Sequence, residues 1–190
     1  MSKTDFQTKL KPVSLEEANE AQKPLLEKPK KQMGMVPNMY ANMVNSPGLM
    51  ETYAVGYDHF RKNSGLSPVE QEVVFLTISI YNGCDYCASV HSYIADNMSK
   101  LPKELTNALR NQEEIEDPKM SALSTFTKIM LEKRGYPTKA DVAEFTAAGY
   151  EEKHILEIIL AIAVKTISNY SNHIFHTELD EVFSERKWPD

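Results

Sequence analysis

Residues 67–83 read SPVEQEVVFLTISIYNG and open with the strongest helix-start signal in the chain. Ser67 suits an N-cap, Pro68 the first helical position and Glu70 the acidic position of a capping box, so a helix is predicted to begin here. By composition, the apolar run from Val73 to Ile80 would also suit a buried strand. The cap favours the helix, and a helix that is apolar on every side should be central and buried.

The sequence on both sides of this helix is also helical in pattern. Asn82-Gly83 ends the helix, and a new helix should run from about Cys84 to Met98. Further helix starts are predicted at Ser46-Pro47, Pro102, Asp117-Pro118, Thr138 and Glu151. Because no alternating strand pattern is present, the predicted fold class is all-α, a single-domain helical bundle.

The N-terminal region carries a weaker pattern. Ser14 followed by Glu17 forms a capping box that predicts a helix over about residues 15–28. From Pro29 to Asn45 we expect a loop with at most one helical turn. We therefore expect an N-terminal arm with one helix over residues 1–35 and a helical domain over residues 36–190.

Composition and charge exclude several classes of protein. The formal net charge of -6 argues against nucleic-acid and anionic-membrane partners, because both reward a basic surface. The longest apolar runs, Val73–Ile80 and Ile155–Ile167, are too short or too interrupted by charge to span a bilayer. No signal-peptide pattern precedes them, so a cytoplasmic location is expected.

Two cysteines and a histidine form the candidate chemical motif. Cys84 and Cys87 are the 2 cysteines of the chain, and with His91 they share one face of the predicted helix. Helical geometry places Cα atoms three residues apart at about 5 Å, inside the window of roughly 4.4–6.8 Å for a disulfide. Because a helix start also stabilises a thiolate, the pattern favours redox chemistry with His91 as the activating base.

Glu72 is the fourth candidate. It is the last charge before a long uncharged run and lies at the flank of an apolar stripe, where a lone carboxylate would be expensive to bury. His91 as a partner would offset that expense and orient the imidazole ring. Alternatively, Glu72 simply favours the N-terminal part of its helix.

Two other interpretations of the cysteine pair remain open. Both cysteines could be inert core residues. They could also form half of a zinc site with His91 as third ligand, for which His173 and His176 are the remaining plausible donors. His59 and His154 are predicted at surface positions of helices.

The complete motif resembles a known family. Glu72, Cys84-Asp85-Tyr86-Cys87 and His91 resemble the signature of alkylhydroperoxidase D-like proteins in the carboxymuconolactone decarboxylase family: a glutamate twelve residues before a Cys-x-x-Cys, with a histidine four residues after the second cysteine. The flanks Leu66-Ser67-Pro68, Ala148-Gly149-Tyr150 and Asn169-Tyr170-Ser171-Asn172-His173 are similar too. The likeness covers roughly residues 36–185.

The resemblance implies an all-helical fold, a trimeric or hexameric homo-oligomer and a peroxidase without a cofactor or metal. It implies that Cys87 attacks a hydroperoxide and becomes a sulfenic acid, that Cys84 resolves it to a disulfide, and that His91 and Glu72 relay the proton. A thiol reductant protein or a lipoyl-type carrier then reduces the disulfide. The founding decarboxylase activity is not expected, because members with that activity lack the cysteine pair.

Tyr86 departs from the family pattern, which has a histidine directly before the second cysteine. Tyrosine has a pKa near 10 and cannot replace a base that works at neutral pH.

The alternative function for the protein is a non-catalytic redox sensor or a zinc-binding helical oligomer.

Two further expectations concern reactivity and assembly. We expect Cys87 to be the more shielded sulfur and to be activated by a His91 imidazolium held by Glu72. A methionine-rich segment is expected to serve as an association surface; its residues are Met33, Met35, Met39, Tyr40, Met43 and Met50.

Overall fold

The computed structural model describes residues 5–189, and within that range it contains helices and no strand. The α-helices are α1 Lys23–Met33, α2 Asn38–Met43, α3 Pro47–Asn63, α4 Pro68–Tyr81, α5 Asp85–Ile94, α6 Lys103–Asn111, α7 Pro118–Glu132, α8 Lys139–Ala147 and α9 Glu152–Phe175. A π-helical turn, Ala95–Ser99, follows α5, and a 3₁₀ turn, Glu181–Arg186, lies near the C-terminus. The predicted all-α class is confirmed.

Helix α4 is the centre of the fold. It packs against α5, α6, α7 and α9, and every residue from Glu70 to Ile80 is buried. The predicted capping box forms: the Ser67 hydroxyl accepts from the amide of Glu70 at 3.3 Å, and the Glu70 carboxylate accepts from the amide of Ser67 at 2.8 Å. Since a helix with no solvent face can only sit inside a bundle, this stretch does organise the fold.

Helices α3 and α9 lie unusually close together. A Cβ on Gly56 of α3 would come within 2.6 Å of Cγ1 of Val164 on α9. A glycine at this position therefore permits the contact that brings the middle of α9 towards α4 and α5. Gly83, with φ of 65°, makes the left-handed turn that reverses the chain between α4 and α5.

The N-terminal region differs from the expectation. Ser14 and Glu17 do exchange the hydrogen bonds of a capping box, but only a turn follows, and the helix begins at Lys23. The side chain of Asn19 accepts from the amides of Ala21 and Gln22, which starts a separate turn leading into α1. The division into an arm over residues 1–35 and a domain over residues 36–190 stays a prediction.

The methionine-rich segment is mostly interior. Met39, Met43 and Met50 are buried in the core of the single chain, whereas Met33 is exposed. The expectation that these methionines form an association surface is therefore wrong for the three buried ones. Among residues 5–189, no helix combines the length and the apolar character needed to cross a bilayer.

Candidate functional site

The cysteine pair occupies the first turn of α5. Cys84 is the N-cap residue, not the first helical residue as predicted, and Cys87 lies one turn into the helix. Both sulfurs are free thiols and both are buried, with 0% and 2% of the residue exposed. Because both residues are buried to nearly the same degree, the expectation that Cys87 is the more shielded sulfur stays a prediction.

A cavity of about 350 Å³ reaches Cys87 but not Cys84. Its walls are mostly apolar and aromatic, and they come from α1, α2, α3, α5, the C-terminal 3₁₀ turn and, through Lys165, α9. The aromatic lining side chains are Tyr40, Tyr53, Tyr57, Tyr86 and Phe183. Because Cys87 is the sulfur that faces this space, a small organic molecule in the cavity would meet Cys87 first.

Glu72 and His91 meet as the sequence predicts. Oε2 of Glu72 lies 2.9 Å from Nδ1 of His91, and its Oε1 lies 2.6 Å from Nη2 of Arg61. Glu72 is completely buried. Burial by itself raises the pKa of a carboxyl group, but His91 and Arg61 together bring the pKa of Glu72 below its ordinary value.

Because Glu72 is ionised, it can only accept a hydrogen bond, so Nδ1 of His91 carries the proton and Nε2 is left as the basic nitrogen. Burial and the nearby charge of Lys165 lower the pKa of His91 to about 4, although Glu72 opposes that shift. The imidazole is therefore neutral at pH 7. The expected His91 imidazolium is wrong, because the site is dry and already holds a cation.

Arg61 was not predicted from the sequence, yet it completes this network. Its Nε and Nη2 donate to the Tyr57 hydroxyl at 3.0 and 2.8 Å, and its guanidinium lies 4.7 Å from the ring centroid of Phe75. An arginine in the last turn of a helix is usually a surface residue, and nothing in the sequence indicates that the Arg61 side chain turns inward.

Helix α9 contributes a second stripe of polar residues that faces the cysteines. Lys165, Ser168 and Asn172, spaced i, i+3 and i+7, are all buried. Nδ2 of Asn172 lies 3.3 Å from Sγ of Cys87 and 3.8 Å from Sγ of Cys84. The Cys87 thiol lies 3.8 Å from Oγ of Ser168.

That Lys165, Ser168 and Asn172 face the cysteines was not predicted from the sequence. Two signals were present: a single lysine inside the apolar run Ile155–Ile167, and the Asn169–His173 segment that was noted only for its family likeness. Neither reveals its partner, because the stripe is more than 70 residues away along the chain from the cysteines it contacts.

The two thiols have opposite tendencies to ionise. Burial raises the pKa of Cys87, but a hydrogen bond from Cys84 and the positive charge of Lys165 outweigh burial and hold it well below its ordinary value. Burial and the neighbouring Cys87 raise the pKa of Cys84 well above its ordinary value. The arrangement therefore favours a Cys87 thiolate beside a Cys84 thiol.

Tyr86 is a buried hydrogen-bond donor. Its hydroxyl donates to Oδ2 of Asp180 at 2.5 Å, and burial together with the Asp180 charge raises its pKa further above the ordinary value. Oδ1 of Asp180 in turn accepts from the amide of Asn38. Tyr86 therefore ties α5 to α2 and to the C-terminal segment, and it has no role as a base.

The other histidines lie outside this site. His154 is buried and its Nδ1 accepts from the amide of Glu151, so its predicted surface position is wrong. Among residues 5–189, no group of three or more histidine, cysteine, aspartate or glutamate side chains is arranged to hold a metal ion. The zinc interpretation thus lacks a ligand set in the described part of the chain.

Comparison with solved structures gives the same fold. The alkylhydroperoxidase AhpD core, a peroxidase-related protein from Ralstonia eutropha, is 18% identical, with a TM-score of 0.80 over 92% of this chain and 93% of that one. A peroxidase-related protein from a Silicibacter species is 17% identical, with a TM-score of 0.76 over 93% and 95%. The debrominase Bmp8, as a cysteine-to-alanine variant in complex with 2,3,4-tribromopyrrole, is 16% identical, with a TM-score of 0.74 over 95% and 96%.

Sequence comparison places the chemical motif in a family. No curated protein sequence has a significant match to this chain. Residues 47–128 match the sequence profile of the carboxymuconolactone decarboxylase family, and this range contains Glu72, both cysteines and His91. This segment and the alkylhydroperoxidase D-like fold support a relationship between the chain and the carboxymuconolactone decarboxylase family.

Proposed function

We propose that this protein is a thiol-dependent peroxidase that reduces organic hydroperoxides through Cys84 and Cys87. The observation that carries the proposal is the position of Cys87: its pKa is lowered, it faces a cavity of about 350 Å³, and its partner thiol lies one helical turn away. A thiolate that is reachable only through an apolar cavity suits a small organic oxidant better than a bulky one.

In the first step the Cys87 thiolate attacks the terminal oxygen of the hydroperoxide ROOH. A sulfur–oxygen bond forms, the oxygen–oxygen bond breaks, and the alkoxide that leaves takes up one proton to become the alcohol ROH. The sulfur is oxidised to a sulfenic acid while the peroxide is reduced. Asn172, whose amide donates to Cys87, holds the attacking sulfur in place.

In the second step Cys84 attacks the sulfenic sulfur, a disulfide forms and water leaves. Cys84 is held as a thiol by its raised pKa, so this step needs a base. The neutral imidazole of His91, oriented by Glu72, accepts that proton and returns it to the departing hydroxide. A dithiol reductant then restores both thiols. We also propose that the protein acts as a homo-oligomer.

The test is consumption of cumene hydroperoxide, followed with dihydrolipoamide and with thioredoxin as reductants. We expect Cys87→Ser to abolish turnover. Cys84→Ser should instead leave a sulfenic acid on Cys87 that dimedone traps. Trapping on Cys84, or full activity of Cys87→Ser, would show that the roles are wrong. Reversible oxidation without any peroxide turnover would favour the non-catalytic redox sensor.

A second activity fits the same geometry, namely reductive removal of a halogen from an aromatic ring. The supporting observation is the aromatic lining of the cavity above a cysteine thiolate. The Cys87 thiolate would attack the bromine while a proton is delivered to the ring carbon, which gives Ar–H and a sulfenyl bromide on Cys87. Cys84 would then attack the sulfur of the sulfenyl bromide. Bromide leaves, the Cys84 thiol gives up its proton, and the same disulfide forms. Release of bromide from a bromopyrrole, measured beside peroxide turnover, distinguishes the two activities.

A further inference from the structure

A buried lysine on α9 lies beside the thiol pair, and its interaction with Cys87 lowers the pKa of that thiol. Lys165 is fully buried, and its Nζ has no hydrogen-bond partner among residues 5–189. The Nζ lies 5.6 Å from the ring centroid of Phe75, and the side chain lines the same cavity as Cys87 and His91. A buried ammonium is expensive without an anion beside it, so this position requires a negative charge in the cavity.

The carboxylates near this cavity are already engaged or exposed. Glu72 is paired with Arg61 and His91, Asp58 pairs with Lys62, and Glu51 is exposed. Among the described residues at this cavity, the Cys87 thiolate is the remaining anion, and the charge of Lys165 is one of the influences that favour that thiolate.

We propose that Lys165 is the counter-ion of the Cys87 thiolate and the acid that protonates the leaving oxygen of the hydroperoxide. The inference rests on the peroxidase function proposed above, and it adds a residue and a role that the cysteine–histidine motif does not contain.

The balance of charge in the cavity supports this role. Before attack, the thiolate and the ammonium form a neutral pair. When the thiolate takes the terminal oxygen of ROOH and the alkoxide takes a proton from the ammonium, the products are a sulfenic acid, ROH and a neutral amine. No isolated charge is left in a dry site, whereas a proton from another source would leave a buried ammonium without an anion.

The remaining steps restore the lysine. After Cys84 displaces water, the site holds a disulfide and the neutral amine of Lys165. Reduction by a dithiol delivers two electrons and two protons. One proton stays on Cys84 and the other returns to Lys165, so the Cys87 thiolate and the ammonium are regenerated together. The cycle closes without an additional proton donor.

His91 is poorly suited to supply the first proton. Its pKa of about 4 leaves it neutral at pH 7, and the Nδ1 proton that it holds is bound to Glu72. Lys165 itself contributes to that low pKa. Both observations leave the ammonium as the better proton donor in the cavity, and His91 as the base of the second step.

Several titratable or charged groups line or border the cavity that contains Lys165, and a pH profile must be interpreted with them. They are Tyr40 on α2, Tyr53, Tyr57 and Arg61 on α3, Glu72 on α4, and Cys84, Cys87 and His91 on α5. Burial raises the pKa of the three α2 and α3 tyrosines, and the pKa of Cys84 lies well above its ordinary value, so the alkylation profile follows the ionisation of Cys87.

Two variants separate the two roles of Lys165. Lys165→Arg keeps a positive charge but cannot give up a proton, because a guanidinium stays protonated in proteins. Lys165→Met removes both charge and proton with a similar shape. Lys153→Met is the matched control, since Lys153 lies on the same helix with its side chain exposed. Circular dichroism melting confirms that each variant is folded.

The first measurement is the pH dependence of Cys87 alkylation in the Cys84→Ser background. We expect Lys165→Met to raise the midpoint by about one pH unit or more, and Lys165→Arg to leave it close to that of the parent protein. Lys153→Met should match the parent. An unchanged midpoint in Lys165→Met would overturn the counter-ion role.

The second measurement compares leaving groups at a pH where Cys87 is mainly thiolate in each variant. With tert-butyl hydroperoxide, whose alkoxide needs a proton, Lys165→Arg and Lys165→Met should react about 10²–10⁴-fold more slowly, the range for loss of a general acid. With peracetic acid, whose carboxylate leaves unprotonated, both variants should react nearly as fast as the parent. Equal losses for the two oxidants would overturn the acid role.

The outcomes also distinguish this inference from the function on which it rests. If the parent protein reduces neither oxidant, the peroxidase function fails, while the alkylation midpoints still test the counter-ion role. If Lys165→Arg does not fit the site, Lys165→Met alone still gives both the midpoint and the leaving-group comparison.

Discussion

Oε2 of Glu72 lies 2.9 Å from Nδ1 of His91, and both side chains are buried. The pair joins the central helix α4 to the helix that carries the cysteines, so it serves the stability of the fold as well as the orientation of the imidazole. The other oxygen of Glu72 lies 2.6 Å from Nη2 of Arg61, which extends the network to α3.

Replacing Glu72 should therefore destabilise the protein strongly. Glu72→Gln leaves the Arg61 guanidinium without its carboxylate in a nearly dry site, and breaking a buried ion pair from one side typically costs about 3–5 kcal/mol. Urea denaturation followed by circular dichroism at pH 7 measures the change. Glu144→Gln, at an exposed position on α8, is the control and should be neutral. If the free energy of unfolding falls no further in Glu72→Gln than in that control, the buried network contributes little to stability.

His91 should make the stability depend on pH. Its pKa in the folded protein is about 4, below the ordinary 6.5, so its contribution to stability is complete above pH 6.5 and is lost as the pH falls towards 4. This lowering of the pKa corresponds to about 3 kcal/mol in the free energy of unfolding. Urea midpoints measured between pH 7 and 4.5 should fall in the parent protein and fall less in His91→Gln. Parallel curves would contradict a neutral buried imidazole.

Cys84 and Cys87 should form a reversible disulfide. They lie one turn apart at the start of α5 as free thiols, so closing the bond requires little movement of the backbone. After one equivalent of peroxide, intact mass spectrometry should show the loss of two hydrogens, and dithiothreitol should restore them. Cys84→Ser should show the mass of an added oxygen instead. If both thiols remain open to alkylation after peroxide, the redox function fails.

The protein should be a homo-oligomer, and the structure suggests a surface other than the methionine segment. One face of α9 exposes apolar side chains at helical spacing, at Leu156, Ile159, Tyr170 and Ile174. We expect light scattering to give a multiple of 21.6 kDa and Ile159→Glu to lower it. Tyr136→Glu, which changes an exposed aromatic residue outside α9, is the control. A monomeric parent protein at micromolar concentration would contradict this prediction.

The sequence alone determined the elements whose signals are local. The capping box at Ser67 and the uninterrupted apolar run after it predicted a buried central helix, because caps and periodicity act within a few residues. Likewise, the spacing of Cys84, Cys87 and His91 predicted a common helix face, since that face is set by helical geometry alone. The start of α1 was misplaced because the turn at Asn19 competes with the box at Ser14, and local rules do not rank the two.

Which charged side chains meet, and which cysteine sulfur borders the cavity, depends on the packing of segments that are distant in the sequence. Arg61 and Lys165 turn inward because α3 and α9 pack closely against the centre of the bundle, and no local pattern marks either residue. Both charges lower the pKa of His91, and that of Lys165 also lowers the pKa of Cys87, so the imidazole is neutral where the sequence predicted an imidazolium. Ionisation in a buried site depends on the sum of desolvation and all nearby charges, and that sum exists only once distant segments are brought together.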